Sequence, residues 1–470
     1  MRQGVQPEFE FQAYFKRHVT ADNQGGQQTS DGGSLLLREL LMRTFLIPKL
    51  AKCFRDSRKK KAITHALETM LTQRITGLIL GYEDLIDHEQ LRTDPAQILL
   101  ANKAGLGGDE PVDLAGKSTL NRMELSADGG DGRYKKIHAQ PEQIESLLLE
   151  EAVKAIPRRT REIVLDFDAT DDLIHGSQEG RFYNGYYRNY CYLPLYCFHG
   201  DIPLLAQLRS SDCDGCAGTV EALTKIVPVI RKRFGRKVRI IVRADSGFAR
   251  ESILSWCESK KIYYCVGLAK NSRLTTHLKD AYEKMSRKVK AGELQSPCRR
   301  FKQFDYQTLS TWSRARRVIG KAEILCEKKN SRFIVTNLPA RGFPGDALGR
   351  FAPRSLYQDF YCARGNMENR IKEQQLELFA DRTSTGLMKS NQLRLWFSAF
   401  AHLLMSLFRK KGLIGTSLEN ASIGTIRLKL FKVAARISIS TRRIHFEMPG
   451  SYPYQAEFAA VLRNLRSGFV

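Results

Sequence analysis

Three acidic side chains hold positions from which they could do chemistry together. Asp168 closes a strictly alternating stretch, EIVLDFD over residues 162–168, in which Ile163, Leu165 and Phe167 share one face. Asp245 follows the apolar run VRIIV at 238–242, inside RADSGF at 243–248. Both stand where a strand ends, and in open α/β sheets ligands gather beyond the carboxyl ends of the strands. Glu368 lies in a helical stretch where Tyr361, Arg364, Glu368 and Lys372 recur at steps of three, four and four and so share a face. Spacing alone leaves two readings of that stripe: a solvated row of ion pairs, or a carboxylate ligand whose cationic neighbours hold phosphates. Carboxylates in twos and threes suit Mg²⁺, a hard ion that takes oxygen ligands. A pair of such ions can activate a water or a 3′-hydroxyl and stabilise the leaving oxygen in phosphodiester exchange. That chemistry needs no covalent nucleophile, and no serine or cysteine in the chain presents itself as one. Asp166 shares the face of Asp168 by alternation and is the reserve ligand, while Asp171 and Asp172 read as a solvated turn.

The elements that must position these groups follow from periodicity. Residues 1–33 form a polar segment ending in DGGS. Residues 34–158 are helical, with apolar positions at three- and four-residue intervals over 62–81, a short helix at 117–125 and another over 141–155. Loops are expected at 104–116 and 127–133. The pattern then becomes strand-like. The strand at 162–168 is followed by a hairpin of 190–200 with 202–210, a helix at 219–234, a strand at 238–242, a helix at 251–260 and a strand at 263–268. That order predicts a mixed sheet flanked by helices, an α/β core whose first part spans 159–270. Residues 271–345 contain short strand candidates at 300–308, 316–326 and 332–337 and read as a β-rich insertion. The second part of the core, helical, covers 346–410, and a basic region at 411–470 carries a helix expected at 426–437.

Composition narrows the partners. Of 470 residues, 75 are Lys or Arg against 50 Asp or Glu, a formal net charge of +25. A surplus of this size argues for a polyanionic partner, nucleic acid before an anionic membrane. The basic residues are dispersed, with clusters at 58–61, 231–237, 314–317 and 427–443, as suits a folded protein tracking a long stretch of duplex. Ten cysteines lack a zinc or disulfide pattern; the nearest pair, Cys213 and Cys216, reads as free thiols in a turn. The first residues carry no apolar signal region, and the longest apolar stretch, 393–408, holds Arg394 and His402 and reads as a buried helix. A cytoplasmic protein with no membrane role is expected.

The ordered set DFDATDD at 166–172, RADSGF at 243–248 and Y-x2-R-x3-E at 361–368 resembles the bacterial insertion-sequence transposases with an RNase H-like core. The pattern is most similar to the thirteen-eighty insertion-sequence family, a relative of insertion-sequence family four. GYEDLIDHEQLRTDP (81–95), KSTLNRME (117–124), SNQLRLW (390–396) and IRLKLFKVAARI (426–437) extend the likeness across about residues 30 to 460. The resemblance implies that Asp168, Asp245 and Glu368 are a DDE catalytic triad holding two Mg²⁺ ions, with Mn²⁺ as a substitute. It implies cut-and-paste transposition by a homodimer bound to terminal inverted repeats and target DNA, in a nucleoid-associated bacterial protein. Tyr361 and Arg364 match the first two members of a Tyr-Arg-Glu-Lys signature; Gln375 stands at the fourth, so Lys372 becomes the stand-in phosphate contact. Trp312, beside Arg314, Arg316 and Arg317, is the expected base-stacking aromatic, its alternative being a ring packed on its own sheet. The helices at 34–158 are the expected reader of the inverted repeats, through Arg74 and Arg122. Two rival functions remain at this point: a DNA-binding regulator without catalysis, and another RNase H-like nuclease such as a resolvase.

Overall fold

A computed structural model describes residues 9–127, 136–326 and 328–468. The chain divides into two compact units, one of residues 1–139 with 407–470 and one of residues 140–406. The loop expected at 127–133 falls, apart from its first residue, outside the described residues.

The second unit is built on a mixed eight-stranded sheet. Its strands are β1 (Glu162–Ala169), β2 (Leu195–His199), β3 (Ile202–Gln207), β4 (Arg239–Ala244), β5 (Tyr263–Leu268), β6 (Cys298–Tyr306), β7 (Arg316–Leu325) and β8 (Lys328–Thr336). They lie in the order β3-β2-β1-β4-β5-β8-β7-β6. β1, β4 and β5 are parallel neighbours; β2 and β3 meander antiparallel from one side of β1, and β8, β7 and β6 continue the sheet antiparallel beyond β5. The centre reads as a both-faces-buried parallel sheet should: Ile240, Ile241, Val242 and Ala244 of β4 are all buried. Crossover helices α1 (Thr219–Phe234) and α2 (Glu251–Ser259) join β3 to β4 and β4 to β5. Pro141–Ala155, expected within the N-terminal region, belongs to this unit and packs on β3 and α1.

The structure departs from the expected elements of this unit at two places. The strand expected over 190–200 is broken: Asn189–Tyr192 joins a separate three-stranded sheet with Asp172–Leu173 and Phe182–Asn184, and β2 starts only at Leu195. Pro194 has no N–H to give a ladder, which ends one strand before the next begins. The β-rich stretch at 271–345 opens with two helices, Ser272–Thr276 and Lys279–Lys290, and its three strands widen the core sheet.

The first unit is a helical core with small sheets. Leu67–Leu80 is buried on nearly every side, and Phe54–Asp56 pairs with Ile137–Ala139. The basic helix expected at 426–437 is a correction too. Helical turns run only through Ile423–Phe431, and Ala435–Ser440 is a strand between Arg443–Glu447 and Gln28–Thr29. ARISIS alternates buried and exposed residues, a period-2 signal that the surrounding cations obscured. Among the described residues no helix is long and apolar enough to cross a membrane.

Candidate active site

Sheet register brings the first two carboxylates together. In the parallel pairing of β1 with β4, Asp166 sits opposite Arg243 and Phe167 opposite Ala244. The next residue on each strand is Asp168 and Asp245, so both emerge side by side at the carboxyl ends. Each carboxylate is oriented by local backbone: Asp168 Oδ1 accepts from the Ala169 N–H at 3.0 Å, and Asp245 Oδ1 accepts from the Gly247 N–H at 2.9 Å.

Glu368 arrives on a helix laid against the sheet. The chain enters through Pro353–Ser355, widens into a π-helical turn at Leu356–Tyr361, tightens at Cys362–Arg364, runs as α3 (Gly365–Lys372) and widens again at Glu373–Glu377. A π turn inserts a residue and so re-aims the side chains of the next turns, and such turns concentrate at functional sites. Leu356 and Tyr357 pack with Ile241, Cys265, Ile319 and Ile334 of the sheet, which seats the helix. Ser398, on the long helix Met388–Gly412, donates to the Gln374 carbonyl at 3.2 Å and braces the far end.

Arg364 joins the parts. Nη1 donates to Asp168 Oδ2 at 3.1 Å and Nη2 to Glu368 Oε1 at 2.6 Å. Burial pushes the Asp168 carboxyl up to about 6; Arg364 opposes this, while the nearby Asp245 and Glu368 charges add to it. Against its own burial, Arg364 is held protonated by Asp168, Tyr361, Glu368 and Asp245. Two carboxylates therefore share one guanidinium, with the Asp245 charge nearby. The donor set is all oxygen and carries excess negative charge, the chemistry a hard divalent ion requires. Among the described residues no three acidic, histidine or cysteine side chains enclose an ion as they stand. Arg364 takes one oxygen each from Asp168 and Glu368.

Tyr361 stands beside Gly267 of β5. A Cβ at Gly267 would lie 2.5 Å from the Tyr361 hydroxyl and 2.7 Å from the Ser246 nitrogen, so only glycine lets the ring approach. Burial raises the Tyr361 hydroxyl to about 12, which keeps it a proton donor. Lys372 is exposed at the end of α3. Gln375 donates to the Asp171 carbonyl at 3.1 Å, so it holds the loop beyond Asp168.

Other expected residues lie elsewhere. Asp166 is no spare ligand: it is buried and grips Arg243 through both oxygens, at 2.5 and 2.8 Å, and Arg243 also donates to the Phe360 carbonyl in the π-helical turn that leads to α3. Trp312 is only 5% exposed, edge-to-face with Tyr306 and capped by the Arg316 guanidinium, so its ring is not offered to a base. Arg316 itself is buried in ion pairs with Glu251 and Glu258. Arg74 is 4% exposed and donates to buried Glu124 at 2.6 Å, which takes it away from DNA. Arg122 is exposed on Lys117–Glu124. Cys213 and Cys216 are free thiols.

Sequence reasoning missed Tyr187, whose hydroxyl donates to the Ala169 carbonyl at 3.4 Å, one residue from Asp168. The signal was present in RFYNGYYRNY (181–190), aromatics interleaved with arginines.

A sheet whose parallel strands end in paired aspartates, faced by a helix bearing a glutamate, defines a class of carboxylate-dependent phosphoryl-transfer enzymes. The family model described as "Transposase DDE domain group 1" matches residues 11–468, and the chain belongs to that family. It is a DDE transposase, a metal-dependent enzyme of DNA cleavage and transfer. No curated protein matches the sequence. Among solved structures the chain is similar to a piggyBac transposase synaptic complex with hairpin DNA, seen by cryo-EM. Identity there is 10%, with 86% of this chain and 80% of that one covered, at a TM-score of 0.37, too distant a likeness to bear weight.

Proposed function

We propose that this transposase binds the terminal inverted repeats of a bacterial insertion sequence of the thirteen-eighty family and moves it by Mg²⁺-dependent cut-and-paste transposition, with Asp168, Asp245 and Glu368 as the catalytic triad. The observation that carries this is the parallel register of β1 with β4, which ends in two adjacent aspartates, joined through Arg364 to Glu368 on the facing helix. The order β3-β2-β1-β4-β5, with only β2 running against the other four and a crossover helix before β4 and before β5, supports an RNase H-like core.

Asp168, Asp245 and Glu368 would hold the ions, two being the expected number with Mn²⁺ as a substitute. Bound there, they would activate a water or 3′-hydroxyl and stabilise the leaving oxygen. The protein's own groups orient the DNA. The Ala169 and Gly247 amides fix the aspartates. Tyr361 keeps its proton and donates to a phosphate oxygen, and Arg364, released from Glu368, pairs with the phosphate. Lys372 extends the phosphate contacts by one helical turn.

The helices of 34–158 read the inverted repeats, with exposed Arg122 among the contacts, and a homodimer holds both element ends. The enzyme works in the bacterial cytoplasm at the nucleoid. The test is incubation of the purified chain with Mg²⁺ and a duplex bearing the inverted repeat read from DNA flanking its gene. Nicking at the repeat end supports the proposal. Binding without nicking would favour a regulator, and sequence-blind junction cutting a resolvase; either outcome would refute it.

A further inference from the structure

The aromatic surface near the carboxylates is the hairpin of Phe182–Asn184 with Asn189–Tyr192, not Trp312. Tyr183 and Tyr190 are directly paired across the hairpin, rings edge-to-face at 5.5 Å, and both are exposed. The Arg181 guanidinium lies 3.9 Å over the Tyr190 ring. At the turn Tyr186 is 87% exposed and meets Tyr187 edge-to-face at 4.9 Å. Large exposed aromatic clusters mark interaction sites, because ordered rings in water gain nothing from folding alone.

Two further features specify the partner. The turn is tethered to the candidate active site by the Tyr187 hydroxyl, which donates to the carbonyl next to Asp168. The turn is also rigid: the Asn184 side chain accepts from the Tyr186 and Tyr187 amides at 3.0 and 3.3 Å, and donates to the Ser211 carbonyl at 3.1 Å. Ser211 in turn donates to the Phe182 carbonyl at 3.0 Å. A backbone held this way loses little conformational entropy on binding. Arg181 and Arg188, both exposed, give the surface a positive charge that suits a phosphate backbone. Bases offer the matching flat faces, which stack on aromatics regardless of sequence.

We propose that the tyrosine-rich hairpin at 181–190 is a stacking platform for unpaired bases of the DNA strand whose phosphate lies at the carboxylates, with Tyr186 and Tyr183 as the stacking rings. This deepens the transposition reading and rests on it. Strand cleavage at an element end frees bases beside the cut, and the platform would hold them apart from their partners.

The full chain and its Tyr183→Ala and Tyr186→Ala variants are titrated against a labelled oligothymidylate and a blunt mixed-sequence duplex, by fluorescence anisotropy at fixed salt. Each alanine variant should bind oligothymidylate roughly five- to a hundredfold more weakly. Tyr186→Phe should bind as wild type does, and duplex binding and thermal midpoint should not move. Equal oligothymidylate binding by wild type and both alanine variants overturns the platform. Loss of self-association in the variants with oligothymidylate binding intact also overturns it, making the hairpin a contact between copies of the chain. Wild-type cleavage of the element-end duplex is run alongside. If it cuts while the variants bind normally, only the platform falls; if it cuts nothing, the transposition reading falls and takes the platform with it.

Discussion

Asp166 and Asp168 sit two residues apart on one strand, yet their surroundings give them opposite work. Asp166 is buried against Arg243, while Asp168 accepts from Arg364 with the Asp245 and Glu368 charges nearby. Asp166→Ala leaves the Arg243 guanidinium buried without its partner, and breaking a buried pair this way costs about 3–5 kcal/mol. Urea denaturation should show that loss; an unchanged midpoint would mean the pair is not what ties β1, β4 and the turn at Leu356–Tyr361 together. Gly267 is the second residue-scale test. Alanine there drives a methyl group into the Tyr361 hydroxyl and the Ser246 nitrogen. We predict that Gly267→Ala lowers cleavage at least about tenfold and costs on the order of 1–3 kcal/mol of stability from overpacking. Cleavage at the wild-type rate would show that Tyr361 need not hold its place. At this scale the sequence was legible where position fixed environment. Asp168 and Asp245 could be found because each closes a recognisable strand. Arg74 and Trp312 could not be judged, because a cation or an aromatic reads the same in sequence whether it faces solvent or a buried partner.

At the scale of elements, alternation and apolar runs located β1, β4, β5 and both crossover helices to within a few residues. What stayed hidden was set by contacts distant in sequence. β8 pairs with β5 across more than sixty intervening residues, so nothing local revealed that the β-rich stretch widens the core sheet. α2 is fastened to the start of β7 by Glu251 and Glu258, which flank the buried Arg316. Burial alone would raise the Glu251 carboxyl, but hydrogen bonds from Arg316, Ser255 and Ser313 win and hold it down at about 2. A carboxyl lower in the folded than in the unfolded state stabilises above its unfolded value and loses that contribution as pH falls toward the folded one. The denaturation midpoint should therefore drop between about pH 4.5 and 2, and Glu251→Gln should lose part of that dependence. An identical pH profile for Glu251→Gln and wild type would dissolve this clamp. Trp312→Ala should likewise cost about 3–5 kcal/mol, as removal of a buried aromatic does. Trp312→Phe should keep cleavage intact; a loss of cleavage in a stably folded Trp312→Phe would restore the ring to a DNA role.

For the whole molecule, a net charge of +25 and dispersed cations predict that binding to non-specific duplex weakens steeply with salt, log K falling by about 0.9 per phosphate contact for each unit of log salt. A flat response in an electrophoretic or anisotropy titration would remove the electrostatic argument for a DNA partner. Charge and family membership agree on that partner. The most direct measurement is cleavage of an inverted-repeat duplex in Mg²⁺ by wild type and by Asp168→Asn, Asp245→Asn and Glu368→Gln, with binding of the same duplex followed in parallel. Wild type should cut, while each variant should bind the duplex and leave it whole. Cutting at the wild-type rate by any one of the three would contradict the triad.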